Sequence, residues 1–476
     1  MKKILIILMA FLVIASCTKL EDLNENTKNP TEVPGVTLFS NAQKSLADQI
    51  ASTNVNMNVF KIWAQYWTET TYTDEANYDI INRTIADNVW REWYRDVLMD
   101  LKEAGIIIAA TEYATADETA AAANQLVIID IMEVFVYERM VTLWGNIPYT
   151  EALDIDNVTP AYDDGLTIYK NLITRIDADI AALNTAHGSF GNADLVYHGD
   201  VGAWKKFANT LKLKMGTVLS DVDPGLASST ILAAIPGAFT SNADNAEFVY
   251  LATTPNTNPL YVDLTLSGRQ DFIGTTIITD YMVPWNDPRL PAYFTFAPDT
   301  EEYLGGVYGA SNPYVGFSHV ADAIAEDPTF PCLLLSYVEV EFYLAEAAAR
   351  ANDADAAETH YNAGITASFD YWGVAGAADY LLTPAVAYTT ATGTWQEKIA
   401  TQAWIAFYNN GYEGWTEWRR LDYPNFHLPP DTDLTEVPTR FTYPVFEQTL
   451  NGANYTAAAS AIGGDLLTTK LFFDKH

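Results

Sequence analysis

EFYLAEAAAR, from Glu341 to Arg350, is followed through ANDADAAETH by YNAGITASFDYWG, from Tyr361 to Gly373. Leu344 and Ala345 in the first stretch, and Ala357, Tyr361 and Gly364 around the second, alternate small and large residues at helical spacing. That pattern lets two antiparallel helices approach closely, the small residues receiving the large ones. One such match also arises in any alanine-rich hairpin, so the rest of the chain decides. Apolar residues recur every three or four positions over 36–50, 58–70, 166–183 and 203–219, and helices are expected there. Leu126, Ile129, Met132, Val136, Met140 and Leu143 mark one face of a longer helix stopped by Gly145 and Pro148. Trp204, Phe207, Leu211 and Met215 form the stripe of another. Helices are expected again over 336–351, 353–369 and 394–409. Between Pro224 and Pro331 the helical period fades into Pro, Gly, Asn, Thr and Tyr, which reads as long loops with short helices or strands. The stretch from Trp418 onward reads as loop-rich. The fold class is mainly α, a single domain of degenerate helix pairs with large irregular loop excursions.

The two ends and the composition set the surroundings. Lys2 and Lys3 precede an apolar run from Ile4 to Ile14, the length of a signal-peptide core and too short to cross a bilayer as a mature helix. The run ends in Val13-Ile14-Ala15-Ser16-Cys17, which resembles a bacterial lipobox. Residues 1–16 then read as a signal peptide, 17–34 as a tether lipidated at Cys17, and 35–476 as the folded domain. Glu21 and Asp22 resemble the acidic residues that direct some surface lipoproteins outward. With Cys17 acylated, Cys332 has no partner for a disulfide and reads as a small buried apolar residue. Sixty-one acidic against 26 basic residues give a formal charge of −35. A surface of that sign repels nucleic acid and anionic lipid, leaving neutral or cationic ligands. The 28 Tyr, 21 Phe and 12 Trp exceed what exposed sites need, so most belong to the core, with a surplus for platforms on which sugar rings or peptides stack.

Several motifs occur together. LNENTKNPTEVPGVTLFSNAQ from Leu23, WGNIPYTEAL from Trp144, WKKFANTLKLKMG from Trp204, the helix pair quoted first, KIATQAWIAFYNNGYEGWTEWRRLDYP from Lys398 and PTRFTYPVFEQ from Pro438 come in this order. In order and spacing the chain resembles the SusD/RagB family of outer-membrane nutrient-binding lipoproteins, in particular its SusD-like second subgroup, from about Leu23 to the end. The resemblance implies four tetratricopeptide-like helix pairs and a place on the extracellular face of the outer membrane. It also implies a partner, a SusC-type TonB-dependent transporter, to which captured nutrient is delivered. Oligosaccharide is the usual cargo of such proteins and peptide the alternative; a helical-repeat scaffold or adhesin without transport is a third reading.

No catalytic motif emerges, and an enzyme is not expected. The six histidines are scattered with no i, i+4 pair, no zinc spacing occurs, and Gly316-Phe317-Ser318-His319-Val320 lacks the last glycine of a nucleophile elbow. Asp154-Ile155-Asp156-Asn157 starts like a calcium loop, but Thr159 and Gly165 stand where glycine and glutamate are needed, so it reads as a solvated acidic turn. Neither a metal nor a cofactor is expected. Arg419 and Arg420 read as structural partners of Glu413 and Glu417. For ligand, two aromatic groups stand out among polar residues: Trp67, Tyr72 and Tyr78, and, in the irregular middle, Trp285, Tyr303, Tyr308 and Tyr314 with Asn286, Asp287 and Arg289.

Overall fold

The computed structural model describes residues 33–430 and 432–476. The signal-like segment, Cys17 and nearly all of the tether lie outside the described residues.

The helix starts are written locally. Thr115 and Glu118 form a capping box that opens α3 (Ala116–Trp144), and Ser336 with Glu339 forms another that opens α7 (Tyr337–Arg350). Aspartate side chains accept first-turn amides at α4 (Gly165–Ala182), α5 (Val201–Val218), α6 (Pro224–Ala234) and α8 (Ala354–Tyr371). Thr394 does the same at α9 (Trp395–Ala406). Preceding them are α1 (Gly35–Ala51), the short helix Ile85–Arg91, a π-helical segment Glu92–Leu98, and α2 (Met99–Ala110).

These elements pack as hairpins. α1 lies against the π segment and α2, α3 against α4, α5 against α6, and α7 against α8. A fifth pair, α9 with α10 (Gly411–Leu421), closes the series. The crossing of α7 and α8 is as close as the small residues allow: a Cβ placed on Gly364 would stand 3.0 Å from the Phe342 ring. The irregular middle carries two small antiparallel sheets. β1 (Trp67–Glu69) pairs with β3 (Phe272–Gly274), Thr68 opposite Ile273, and β2 (Ala246–Phe248) pairs with β4 (Cys332–Leu335).

Three expectations need correction. Residues 58–70 do not form one helix: only Phe60–Trp63 is helical, Gln65 sits at φ +56°, and the chain becomes β1. Tertiary partners take the backbone groups a helix would need. Thr275 N–H donates to the Tyr66 carbonyl (3.2 Å), Thr275 Oγ1 to the Gln65 carbonyl (2.5 Å) and Trp404 Nε1 to the Ala64 carbonyl (2.8 Å). Helical structure also forms over 85–110 and at α10, where the apolar spacing read from the sequence predicts none. The tail after Trp418 also carries helices Val445–Leu450 and Gly452–Ala461.

Where α3, α5 and α10 meet, charges are buried. Glu413 accepts from Arg139 (2.6 Å) and Lys214 (2.7 Å), with Glu138 beside them. Burial alone would raise the Glu413 carboxyl, but the two cations hold it below its ordinary value. Arg420 pairs with Glu417 and Glu346, as the sequence suggests for Glu417. Arg419 instead donates to the carbonyls of Thr142 and Thr439 and stacks on Trp415. Both arginines are core residues. Cys332 is a free, buried thiol.

Candidate functional site

The β1–β3 pair anchors the loop excursions. Thr70 N–H donates to the Asp271 carbonyl (2.8 Å), and Asn312 N–H donates to the Thr70 carbonyl (3.1 Å). Gly274 N–H bonds to Ser318, Gly306 N–H to Gly274, and Thr295 N–H to His319. Segments 70–84, 266–276 and 294–320 are thereby tied into one layer, and their tips carry the side chains left to solvent.

The aromatic candidates divide on this layer. Trp67, Tyr78 and Tyr308 point inward. Trp67 donates through Nε1 to the Tyr408 hydroxyl (2.9 Å), and Gln65 donates to the Tyr78 hydroxyl (3.1 Å). Asp287 and Arg289 form a fully buried ion pair, 2.7 Å, beneath Phe369 and Tyr380. None of these five offers a free face to a ligand, because each supplies volume or charge balance to the core. Trp285 is half-buried against Tyr281, near α9, with the exposed Asn286 beside it. No tryptophan among the 12 is well exposed: nine are buried and Trp285, Trp372 and Trp395 are half-buried.

What remains at the surface is tyrosine and phenylalanine. Tyr72 is 72% exposed and holds a left-handed backbone, φ +56°. For a bulky side chain that conformation costs free energy and persists only where neighbours over-determine it. Tyr314 stacks on His319 with ring centres 3.6 Å apart, and burial holds the His319 imidazole below its ordinary pKa, so the ring is neutral at pH 7. Arg269, Asp271, Tyr314, His319, Asp322 and Glu326 line a small polar pocket of about 120 Å³. Phe296, 47% exposed, leans on Tyr303 at 4.6 Å on a turn closed by Ala297 N–H to the Glu302 carbonyl. Two buried carboxyls, Glu69 and Glu75, flank Tyr72 in sequence. Glu69 is pushed up to about 10, first by burial and then by Glu75; Glu75 is raised by burial as well.

The family described as starch-binding and associating with the outer membrane matches residues 27–444. The chain belongs to the SusD-like family. Among solved structures, one described as a chitin-binding protein is 26% identical, with a TM-score of 0.80, and the match covers 93% of this chain and 100% of that one. A chitin-binding SusD homologue from Flavobacterium johnsoniae is 24% identical over 92% of this chain and 98% of its own, TM-score 0.77. A SusD homologue from Bacteroides uniformis is 24% identical over 92% and 99%, TM-score 0.77. No curated protein matches the chain.

The SusD-like chain also carries surface features that sequence reasoning missed. Phe296 escaped notice because a lone Phe gives no sign of which way it points; only the turn residues Pro298 and Asp299 beside it hinted at a loop tip. A second concavity, a groove of about 870 Å³ between α6, α7 and α8, is lined by Ala347, Ala348 and Ile231 with Arg350, His360 and Trp395. Among the described residues no group of three or more His, Cys, Asp or Glu is placed to hold a metal ion. No described helix is long and apolar enough to cross a membrane.

Proposed function

We propose that this SusD-like protein captures neutral oligosaccharide at the cell surface, without catalysing its breakdown, and hands it to a SusC-type TonB-dependent transporter. Lipid on Cys17 would hold it to the outer face of the outer membrane. The observation that carries the reading is Tyr72: a ring displayed to solvent on a strained backbone, on a layer that also presents Phe296, Tyr303 and the Tyr314–His319 stack. Rings of this kind stack on the C–H face of a sugar, and the polar pocket beside them supplies hydrogen-bond partners for hydroxyls. A net charge of −35 disfavours anionic polymers and leaves neutral ones. Two structurally similar proteins are described as chitin-binding and the family as starch-binding, which supports a glycan cargo.

The test is calorimetric titration with starch and chitin oligosaccharides. Saturable binding without turnover is expected, and Tyr72→Ala should weaken it about ten-fold or more while leaving thermal stability unchanged. An oligosaccharide bound equally by both proteins would remove Tyr72 from the site. The groove beside α7 supports a second reading, peptide cargo. If oligopeptides bind and Ala348→Trp abolishes that binding, the cargo is peptide. For the anchor, Cys17→Ala should move the protein out of the membrane fraction, and unchanged partitioning would defeat the lipid reading.

A further inference from the structure

The loop that displays Tyr72 is short of sheet pairing and is held mainly by bonds from its own side chains and turns, such as Asn77 Nδ2 to the Gly309 carbonyl at 2.8 Å. β1 contributes three paired residues, and the chain then passes through non-glycine residues at positive φ: Tyr72 (+56°), Tyr78 (+66°) and Thr84 (+51°). Something must outweigh that strain. Part of it is a chord across the loop. Glu69, the last residue of β1, turns inward and accepts the Ala76 N–H at 3.0 Å. Glu75 is fully buried, its carbonyl accepts from Trp63 Nε1 at 3.1 Å, and its carboxylate lies 2.5 Å from Arg83 Nε. Glu69 is thus bonded to the amide that follows Glu75, both side chains are buried, and the two Glu75 carboxyl oxygens have no hydrogen-bond donor of their own.

Only one guanidinium serves two buried carboxyls. Two negative charges cannot both stay in that dry space, so one group keeps its proton. If Glu69 is the neutral member, its hydroxyl can donate to one of the two Glu75 oxygens that otherwise lack a donor, while its other oxygen accepts from Ala76. When Glu69 loses the proton, like charges oppose each other and the chord is the link that can give. The other charged and titratable groups facing the pair are Asp74 and Arg83 on the loop itself, with Tyr78 and, from the 294–320 excursion, Tyr308. Burial holds both phenols above their ordinary range, so they stay neutral through the same interval.

We propose that Glu69, Glu75 and Arg83 form a proton-holding latch that positions the Tyr72 loop, tightening ligand capture in mildly acid surroundings and loosening it in alkaline ones. The ligand half of this statement rests on the function proposed above; the latch itself does not. The sign follows from linkage. A carboxyl raised in the closed loop stabilises that state fully below the ordinary carboxylate range, and the contribution is lost as pH rises through the raised value.

The experiment is hydrogen exchange of the 70–84 amides in the full chain at about pH 6 and about pH 9, corrected for intrinsic exchange, beside titration of a chitin oligosaccharide at both. In the parent, protection of Ala76 and its neighbours should fall about ten-fold or more between the two. Glu69→Gln keeps a neutral donor to Glu75 and should be protected equally at both. Glu75→Gln removes the like charge and should shrink the dependence while leaving the rest of the fold protected. A parent loop equally protected at both pH values, or a Glu69→Gln loop that still loosens, overturns the latch. Exchange as expected with no oligosaccharide bound upholds the latch and removes the ligand reading. Oligosaccharide binding that weakens with pH equally in parent and Glu69→Gln overturns the coupling between them.

Discussion

At the level of single residues, aromatic count and actual role diverge. Trp67 and Tyr72 sit five positions apart in the same polar-looking stretch, yet one is fully buried and the other is the most exposed aromatic among the described residues. Nothing in WTETTY distinguishes them, because the direction of each ring is decided by β3 pairing with β1, a contact some two hundred positions away in sequence. The same blindness put Asp287 and Arg289 among ligand contacts: a polar pair in a loop reads as solvent-facing until its partners are seen. The Arg419–Arg420 reading fared better since Glu417, three residues from Arg420, is a local partner. Its rival Glu413 was claimed by Arg139 and Lys214 from other helices. The consequence is testable. Trp67→Ala should cost about 3–5 kcal/mol in urea unfolding, by emptying a core site and removing the bond its Nε1 donates to the Tyr408 hydroxyl. Oligosaccharide affinity, measured where the variant is still folded, should change far less than in Tyr72→Ala. A variant as stable as the parent would mean Trp67 is not a packing residue.

Among elements, helices whose caps and stripes are local were readable, and those defined by distant packing were not. α3 and α7 carry capping boxes, and the Gly364 position pointed to the close α7–α8 crossing. The 85–110 region does hold a signal, since Trp90, Trp93, Val97, Leu101, Ala104 and Ile108 are buried at spacings of three or four, a stripe that runs on through the π segment. α10 was harder. Its glycines look like helix breakers, but Gly411 lets the helix press on the backbone of Phe60 and Lys61: an added Cβ would lie 2.4 Å from the Lys61 nitrogen. Gly411→Ala should therefore destabilise by about 1–3 kcal/mol, although alanine in an open helix interior would stabilise by about 1 kcal/mol. Gly364→Ala, whose Cβ would stand 3.0 Å from the buried Phe342 ring rather than 2.4 Å from backbone, should cost less. Equal effects in the two variants, followed by chemical denaturation, would contradict this account of the α10 contact.

For the whole molecule, acidity decides how stability depends on pH, and two mechanisms compete. One is general repulsion among charges summing to −35, which weakens the compact state as pH rises and is screened by salt. The other is specific. Burial pushes several carboxyls up: Glu92 to about 7, Glu339 to about 8, Asp179 to about 9 and Asp474 to about 6. Each favours folding below the ordinary carboxylate range, and that contribution disappears as pH climbs through its raised value. Asp221, beside Arg350, and Asp244, beside Lys206, are held low and act oppositely, losing their contribution only as pH falls through their lowered values. Thermal stability should therefore peak near about pH 5 to 6 and fall by on the order of 5 °C or more at about pH 9. Salt separates the causes. Screening at about 1 M, where the Debye length shrinks to about 3 Å, should restore the part due to surface repulsion and leave the part due to buried carboxyls. Full recovery of the Tm in salt at alkaline pH would assign the whole dependence to net charge. A Tm that rises toward pH 9 would contradict both mechanisms at once, because neither buried acids nor an acidic surface can stabilise a fold by gaining negative charge.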